Sequence, residues 1–245
     1  MARKKSSLAP APPPAEFPGL AIVLVTYKRL ENAIRTIQST CENLDYPQDK
    51  IKWFIGDDGS GPEYMEALRA ELAKHTEVWW ESTERLRKEG QEESYFCGKV
   101  WNLTLGNAHQ YSDFVLWLED DWVLDEPLEM ARYVNLLRRR VEVGAVSFRI
   151  LSIDTDVKTR GEDGRMFVEY LRTSQYAYSG NPILRHARFV RHYGWFDEEK
   201  DPGGVELNYD DKYRLDEKSG PTIWRPLDIS PWGAWKHIGT DKTWK

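Results

Sequence analysis

The sequence predicts an α/β fold with a mixed, mainly parallel central sheet flanked by helices. Residues 20–26, LAIVLVT, form a continuous apolar run rich in β-branched side chains, which suits a strand covered on both faces. Runs of this kind alternate with segments of helical periodicity, and that alternation is typical of parallel βαβ units. The chain has 245 residues, 40% of them hydrophobic, which is enough for one large domain with a substantial core.

The first half of the chain alternates regularly between strands and helices. Leu30, Ala33, Ile37 and Cys41 recur at the spacing of one helix face. Pro62 marks the start of a second helix, because proline suits the first helical turn. We expect strands over 20–26, 51–56, 77–82 and 113–121, and helices over 30–41, 62–75 and 96–109.

The second half is less regular. Asp125 is expected to cap a helix over 126–140, whose three closing arginines suit the negative end of the helix dipole. Gly194 favours the end of a helix, and the prolines of 220–230 favour an extended segment. We expect strands over 144–154 and 165–173, a polar turn-rich connection over 155–164, and a helix over 182–194.

Composition limits the cellular setting. The net charge of −6 argues against a general polyanion binder, because nonspecific nucleic-acid affinity comes from neutralised phosphates. Cys41 and Cys97 fall in helical patterns and are interpreted as buried free thiols in a reducing compartment. The chain has no apolar run of about 18 residues and no signal peptide, so we expect a cytoplasmic protein without a membrane partner.

The N-terminal segment 1–18 differs from the rest of the chain. It combines a basic cluster with a proline and alanine tract that cannot bury enough surface to order itself. We therefore predict a flexible arm followed by one domain over 19–245.

Three of the predicted strands end in polar residues, in the segments VTYKR (25–29), GDDGS (56–60) and LEDDW (118–122). Taken singly, each admits a plain interpretation: DDGS as a capped turn and EDD as a solvated loop. In a parallel sheet, however, the carboxyl ends of the strands meet at one edge, and ligands gather there. The coincidence of the three segments therefore indicates a ligand site.

The three consecutive acids, Glu119, Asp120 and Asp121, need a compensating cation, because their joint ionisation is costly. A divalent ion supplies that charge. Hard oxygen ligands suit Mg²⁺ or Mn²⁺, and such ions commonly bridge one or two carboxylates to substrate phosphates. The acids therefore predict a metal that holds a diphosphate.

The order of these motifs resembles the glycosyltransferase A fold, in particular the family-2 nucleotide-sugar transferases, where similar segments bind uridine and the metal. The C-terminal part resembles the catalytic segment of N-acetylglucosaminyltransferase I and its relatives, in NYDDKYR (208–214), RPLDIS (225–230) and KHIG (236–239). The resemblance spans 20–239, and the order of the short motifs matters more than any one of them. It departs from the family-2 pattern in having Glu-Asp-Asp where an aspartate-any-aspartate triplet is frequent.

The resemblance implies a nucleotide-binding half over 19–125 and an acceptor-binding and catalytic half over 126–245. It places seven side chains around the nucleotide of a UDP-sugar: Thr26, Tyr27, Arg29, Asp57, Asp58, Glu119 and Asp120. Asp58 would accept the base N–H, Asp57 would support that turn, and the two acids of the triplet would contact ribose or metal-bound water.

Two further residues are implied at a Mn²⁺ or Mg²⁺ ion. Asp121 would bind the metal directly, and His237 would reach the metal or the diphosphate. A lone histidine is also commonly structural, and that interpretation stays open for His237. The short chain favours a bacterial or phage cytosolic enzyme over a Golgi one.

Transfer with inversion needs a base that deprotonates the acceptor hydroxyl. The matching segment nominates Asp210, with Asp211 as the nearest competitor and Glu206, after paired glycines, as a third candidate. The alternative is a helix start that carries acids because the helix dipole favours them there.

The acceptor is a hydroxyl-bearing compound, either a saccharide or a modified base in DNA. Aromatic residues in 173–182 and at Trp195 and Phe196 would either form a stacking platform for it or belong to the core. A nucleotidyltransferase is an alternative function, but it would need a glycine-rich phosphate loop, and VTYKR has no glycine. A noncatalytic carbohydrate-binding relative is a second alternative.

Overall fold

A computed structural model describes residues 16–75, 80–84, 97–149, 156–180, 182–216, 219–230 and 233–239. The helices are α1 (Leu30–Asn43), α2 (Pro62–His75), α3 (Cys97–Tyr111), α4 (Met130–Arg139), α5 (Ala187–Tyr193) and α6 (Pro202–Arg214). The strands of the main sheet are β1 (Leu20–Thr26), β3 (Ile51–Asp57), β4 (Trp80–Glu84), β5 (Phe114–Glu119), β8 (Val143–Ser147), β9 (Val157–Glu162), β10 (Arg165–Tyr170), β11 (Ile183–His186) and β12 (Thr222–Pro226). Four short strands form two separate pairs: β2 (Leu44–Asp45) with β7 (Leu128–Glu129), and β6 (Trp122–Leu124) with β13 (Trp235–His237).

Within the part of the chain that the structure describes, the main sheet has nine strands in the order β4-β3-β1-β5-β11-β8-β12-β10-β9. β4, β3, β1 and β5 are parallel, β12 is parallel to β8, and β11 lies antiparallel between β5 and β8. The predicted α/β class with a mixed, mainly parallel sheet is therefore confirmed.

Both faces of the sheet are covered, which explains the unbroken apolar run of the first strand. Ile22 and Leu24 belong to one buried cluster, which includes side chains from α1, α2 and α4. Ala21 and Val23 point to the opposite face and belong to a second cluster with α3, α5 and α6. All four side chains are at most 1% exposed. Because successive side chains of a strand point to opposite faces, a strand between two helical layers has no polar side.

Two predicted helix starts are wrong. Asp125 does not cap a helix, since residues 128–129 first pair with β2 and the helix α4 begins only at Met130. The predicted helix over 182–194 begins as β11, and only residues 187–193 are helical. In both cases pairing with a distant strand overrides the local helical pattern, which sequence periodicity does not register.

The connection predicted as a polar turn contains a strand. Residues 157–162 form β9, which pairs with β10 at the edge of the sheet. Asp163 and Gly164 connect the two strands with positive φ angles of 49° and 74°. An Asp-Gly pair of this geometry is a strong hairpin signal. The residues of β9 are polar because this edge strand is partly to fully exposed, and their polarity resembles that of a loop.

Both cysteines are free thiols as predicted, but only Cys97 in α3 is buried, whereas Cys41 in α1 is half-buried. Burial raises the pKa of each thiol to about 12. Within the described ranges, no helix has the length and hydropathy needed to cross a bilayer. Of the N-terminal arm, residues 1–15 lie outside the described ranges, and Phe17 packs edge-on against Tyr46.

A buried carboxylate links the two helices that follow the first strands. Glu71 of α2 is 3% exposed and accepts hydrogen bonds from Gln38 of α1 (2.9 Å) and Lys74 (2.7 Å). A ring nitrogen of His75 lies 2.8 Å from the same carboxyl group. The hydrogen bond from Lys74 lowers the pKa of Glu71 to about 2, and those from Gln38 and His75 act in the same direction. Burial alone would raise this pKa.

Replacing Glu71 by Gln is expected to lower the free energy of unfolding by about 3 kcal/mol at pH 7. A carboxyl group whose pKa falls on folding stabilises the fold above its unfolded pKa, and this contribution is lost as the pH falls through the folded pKa. The difference from wild type should therefore shrink between pH 4.5 and pH 2. Urea unfolding at pH 7 and pH 3 measures it, with the exposed Glu66→Gln on the same helix as control. An equal loss at both pH values would contradict the assignment.

Candidate active site

The three polar strand ends meet at one edge of the sheet. In the strand register, Thr26 at the end of β1 lies beside Asp57 at the end of β3. On the other side, Val25 of β1 pairs with Glu119 at the end of β5. The backbone N–H of Asp58 also donates to the carbonyl of Thr26 at 3.1 Å. The turn at Asp57 and Asp58 and the acids 119–121 therefore lie at the same edge of the sheet, as predicted.

The turn after β3 is held by Asp57. Its Oδ2 accepts the backbone N–H groups of Gly59 (3.0 Å) and Ser60 (2.8 Å), and Gly59 has a φ angle of 95° that favours glycine. The hydroxyl of Ser60 accepts the backbone N–H of Lys28 at 2.7 Å, which ties this turn to the one after β1. Desolvation raises the pKa of Asp57, and the hydrogen bonds from Ser60 and Gly59 oppose that shift. Asp57 thus supports the turn that presents Asp58.

Asp120 is fully buried and anchors the segment after β1. Its Oδ2 accepts the Thr26 hydroxyl at 2.9 Å and the Tyr27 backbone N–H at 3.0 Å, while its Oδ1 lies 2.5 Å from a guanidinium nitrogen of Arg29. The Thr26 hydroxyl also contacts the hydroxyl of Tyr64 in α2. Burial raises the pKa of Asp120 to about 6, and the charge of Arg29 opposes that shift.

Asp121 faces a different set of groups. Its Oδ2 is paired with Arg29 and lies 3.2 Å from Nε2 of His237 on β13. Its Oδ1 is buried and has no hydrogen-bond partner among the described residues. The backbone carbonyl of Asp121 accepts the N–H of Ile238 at 2.9 Å, so the C-terminal segment is fixed against the acids.

The cation that compensates Asp120 and Asp121 in the structure is Arg29. The sequence predicted Arg29 beside the nucleotide and assigned the compensating charge to a metal, whereas the structure places the guanidinium between the two carboxylates. Within the described ranges, no group of three His, Cys, Asp or Glu side chains is arranged to hold a metal ion. The unpartnered Oδ1 of Asp121 and the adjacent His237 still fit an ion that takes its other ligands from a diphosphate and water.

Glu119 lies close to a carboxylate from the second half of the chain. A Cβ atom added at Gly180 would lie 3.2 Å from Oε1 of Glu119 and 3.9 Å from Oε1 of Glu206. Glu206 in α6 accepts the Ser179 hydroxyl and the Gly180 N–H, both at 2.7 Å. Burial, followed by the charges of Glu206 and Asp121, raises the pKa of Glu119 well above its ordinary value. A side chain at residue 180 would therefore make a tight contact with Glu119, and glycine avoids it.

The other two candidate bases lie in different surroundings on α6. Asp210 is 3% exposed, and its Oδ1 accepts the backbone N–H of Tyr178 at 2.7 Å. Asp211 has a 62% exposed side chain and lies 3.8 Å from Arg214. Of the three, Glu206 is the residue whose carboxyl group lies near that of Glu119.

Sequence reasoning did not identify Ser179 and Gly180 as the partners of Glu206. These residues fall inside 173–182, which was noted only for its aromatic side chains. Tyr178 and Phe196 belong to the core at 1% and 4% exposure, while Tyr176 and Trp195 are exposed by 58% and 47%. The sequence signal that could have indicated this contact is the small pair Ser179-Gly180, because small residues let another side chain come close to the backbone.

Solved structures with a similar fold include complexes with nucleotide sugars. S. aureus TarS 1–349 in complex with UDP-GlcNAc has a TM-score of 0.64 and 13% identity, over 92% of this chain and 62% of that one. The mannosyltransferase PcManGT from Pyrobaculum calidifontis, in complex with GDP-Man and Mn²⁺, has a TM-score of 0.59 and 18% identity, over 89% and 57%. GalNAc-T7 with UDP, GalNAc and Mn²⁺ has a TM-score of 0.61 and 12% identity, over 90% and 46%.

At these identities the likeness shows a shared fold. This chain spans at most 62% of the three structures described above. No protein-family model matches the sequence, and no curated protein matches it either.

Proposed function

We propose that the protein is a metal-dependent, inverting glycosyltransferase that moves a hexose or pentose from a UDP-sugar to a hydroxyl group. The acceptor is a saccharide or a modified base in DNA. The observation that carries the proposal is the meeting of the Asp57 turn with the acids 119–121 at the carboxyl edge of the sheet. Ligands of such folds gather at this edge. UDP-GlcNAc in TarS and GDP-Man with Mn²⁺ in PcManGT support a nucleotide-sugar donor.

The residues of the first half bind the donor. Asp58, presented by the Asp57 turn, accepts an N–H of the uracil base, and Tyr27 lies beside the nucleotide. Asp121 and His237 would hold Mn²⁺ or Mg²⁺, and a bound ion neutralises the charge that develops on the leaving diphosphate. With an ion at Asp121, Arg29 would remain paired with Asp120.

We assign the base to Glu206 ahead of Asp210 and Asp211. Glu206 takes the proton of the acceptor hydroxyl, whose oxygen bonds to the anomeric carbon of the donor sugar. The bond from that carbon to the diphosphate oxygen breaks, UDP leaves with the electron pair, and the configuration inverts. Asp210 holds the backbone at Tyr178 and so positions the neighbouring Ser179 and Gly180 around Glu206.

Adding UDP with Mn²⁺ is expected to raise the melting temperature, because a ligand that binds only the folded state stabilises it by about 2.7 kcal/mol at 100 times its Kd. Asp121→Ala should abolish the part of the shift that depends on Mn²⁺, since it removes the proposed metal ligand. A thermal-shift panel of UDP, GDP and several nucleotide sugars, with and without Mn²⁺, measures both effects. Asp113→Ala, at an exposed site before β5, is the matched control. Absence of any shift at saturating UDP and Mn²⁺ would overturn the proposed function.

A further inference from the structure

Arg29 reaches two aspartates of the acids 119–121 from a fixed backbone position. Its carbonyl accepts the backbone N–H of Ala33 at 2.9 Å, which holds Arg29 at the start of α1. One guanidinium nitrogen lies 2.5 Å from Oδ1 of Asp120, and another is paired with Oδ2 of Asp121. The Arg29 side chain is only 11% exposed. Arg29 is therefore an internal cation of the candidate site, placed there by the fold.

Asp121 is the residue for which Arg29 and a metal ion would compete. In the proposed function Asp121 and His237 hold the ion, but Oδ2 of Asp121 is paired with Arg29. The same oxygen lies 3.2 Å from Nε2 of His237, so an ion held by these two side chains would lie beside the guanidinium. The Asp121 side chain is 5% exposed, and like charges repel strongly where water is nearly excluded.

The charge balance leads to the same conclusion. The two carboxylates that contact Arg29 retain one negative charge after the guanidinium is counted, and a divalent ion exceeds that charge. The site therefore needs an additional anion before it can hold both cations. The diphosphate of a nucleotide sugar is such an anion. Because a guanidinium has five N–H donors, Arg29 can stay on Asp120 with one nitrogen and donate to a phosphate oxygen with another.

We propose that Arg29 competes with the divalent ion for Asp121, and that the diphosphate of the donor relieves this competition. This assignment rests on the proposed glycosyltransferase function. The protein then binds the ion weakly by itself and tightly together with the nucleotide, and each ligand strengthens binding of the other by the same factor. Because Arg29 opposes the free ion and attracts the diphosphate, its removal should change the two affinities in opposite directions.

Arg29→Gln is expected to tighten binding of Mn²⁺ alone at least about fivefold and to weaken binding of UDP alone at least about fivefold, the lower end of the usual coupling between sites. The substitution removes the charge and keeps a polar side chain. Electron paramagnetic resonance of free Mn²⁺ and calorimetry of UDP measure the two Kd values on the full chain, each without the other ligand. A variant that was merely damaged would bind both ligands more weakly, so the opposite signs identify competition.

Two further variants serve as controls. Arg35→Gln makes the same charge change at an exposed position on α1 and should leave both Kd values within about twofold. Arg29→Lys keeps the charge but lacks the planar fork that spans two carboxylates, so its Mn²⁺ Kd should lie between those of wild type and Arg29→Gln. If Arg29→Gln does not fold, Arg29→Lys decides the question. Binding of Mn²⁺ alone that is unchanged or weaker in the folded variant would overturn the proposal.

Wild type separates this proposal from the proposed function. Mn²⁺ should bind wild type at least about tenfold more tightly when UDP is saturating. If UDP and Mn²⁺ together do not bind wild type, the proposed function fails and the role of Arg29 fails with it. If they bind together but Mn²⁺ alone binds equally well, or if Arg29→Gln does not tighten binding of Mn²⁺ alone, only the competition is wrong and the proposed function stands.

Discussion

Glu206→Gln is expected to lower turnover by about 10²–10⁴-fold, the usual contribution of a general base. The substitution keeps an oxygen that accepts the Ser179 hydroxyl and the Gly180 N–H, but an amide cannot take up the proton of the acceptor. Donor affinity should stay within about twofold, since an interaction that acts only in the transition state changes kcat and leaves substrate binding alone. The measurement is the initial rate of UDP release, with water or a saccharide as acceptor, beside a calorimetric Kd for UDP.

Two matched variants on the same helix make this prediction specific. Asp211→Asn alters an exposed carboxylate and should leave the rate near wild type. Asp210→Asn retains an acceptor for the Tyr178 N–H and should cost about tenfold or less, chiefly through a looser loop around Glu206. A larger loss for Asp210→Asn than for Glu206→Gln, with donor binding intact, would move the base assignment to Asp210.

Asp120→Ala is expected to lower the free energy of unfolding by about 3–5 kcal/mol, the usual loss when one partner of a buried ion pair is removed. The variant leaves the Thr26 hydroxyl and the Tyr27 N–H without their acceptor and deprives Arg29 of one of its two carboxylates. Each of those groups is held against the strand end, so the turn after β1 should also loosen. Urea unfolding at pH 7 measures the loss.

The control for Asp120→Ala is Asp121→Ala. It also removes a carboxylate from Arg29, but no backbone N–H donates to the Asp121 side chain among the described contacts. We expect a loss of about 1–2 kcal/mol for this variant, smaller than that of Asp120→Ala. Equal losses would show that Asp120 contributes mainly through Arg29 and that the hydrogen bonds to residues 26 and 27 contribute little.

The sequence predicted the first half of the fold well because each step there is local. The run 20–26 and the periodicity from Leu30 to Cys41 each specify their element without distant partners. The same logic placed Asp57 and Glu119 at one sheet edge, since parallel strands align their carboxyl ends.

The second half depends on distant pairing, which the sequence does not encode locally. Residues 183–186 have a helical pattern but form a strand, because they fill the gap between β5 and β8. Glu206 comes close to Glu119 because β11 and α6 bring this part of the chain to the end of β5. The sequence did not predict where these two elements lie in the fold. Arg29 was predicted at the nucleotide, but its pairing with both aspartates depends on tertiary geometry.

The antiparallel direction of β11 affects how such a fold can diversify. Because the strand enters the sheet at the edge where its antiparallel neighbour β5 ends, the loop before it brings Ser179 and Gly180 beside Glu206 from a late part of the chain. Substitutions or insertions in that loop can reshape the surroundings of Glu206 without disturbing the β1, β3 and β5 ends. A laboratory library confined to residues 173–180 should therefore yield altered acceptor choice while retaining the same nucleotide preference.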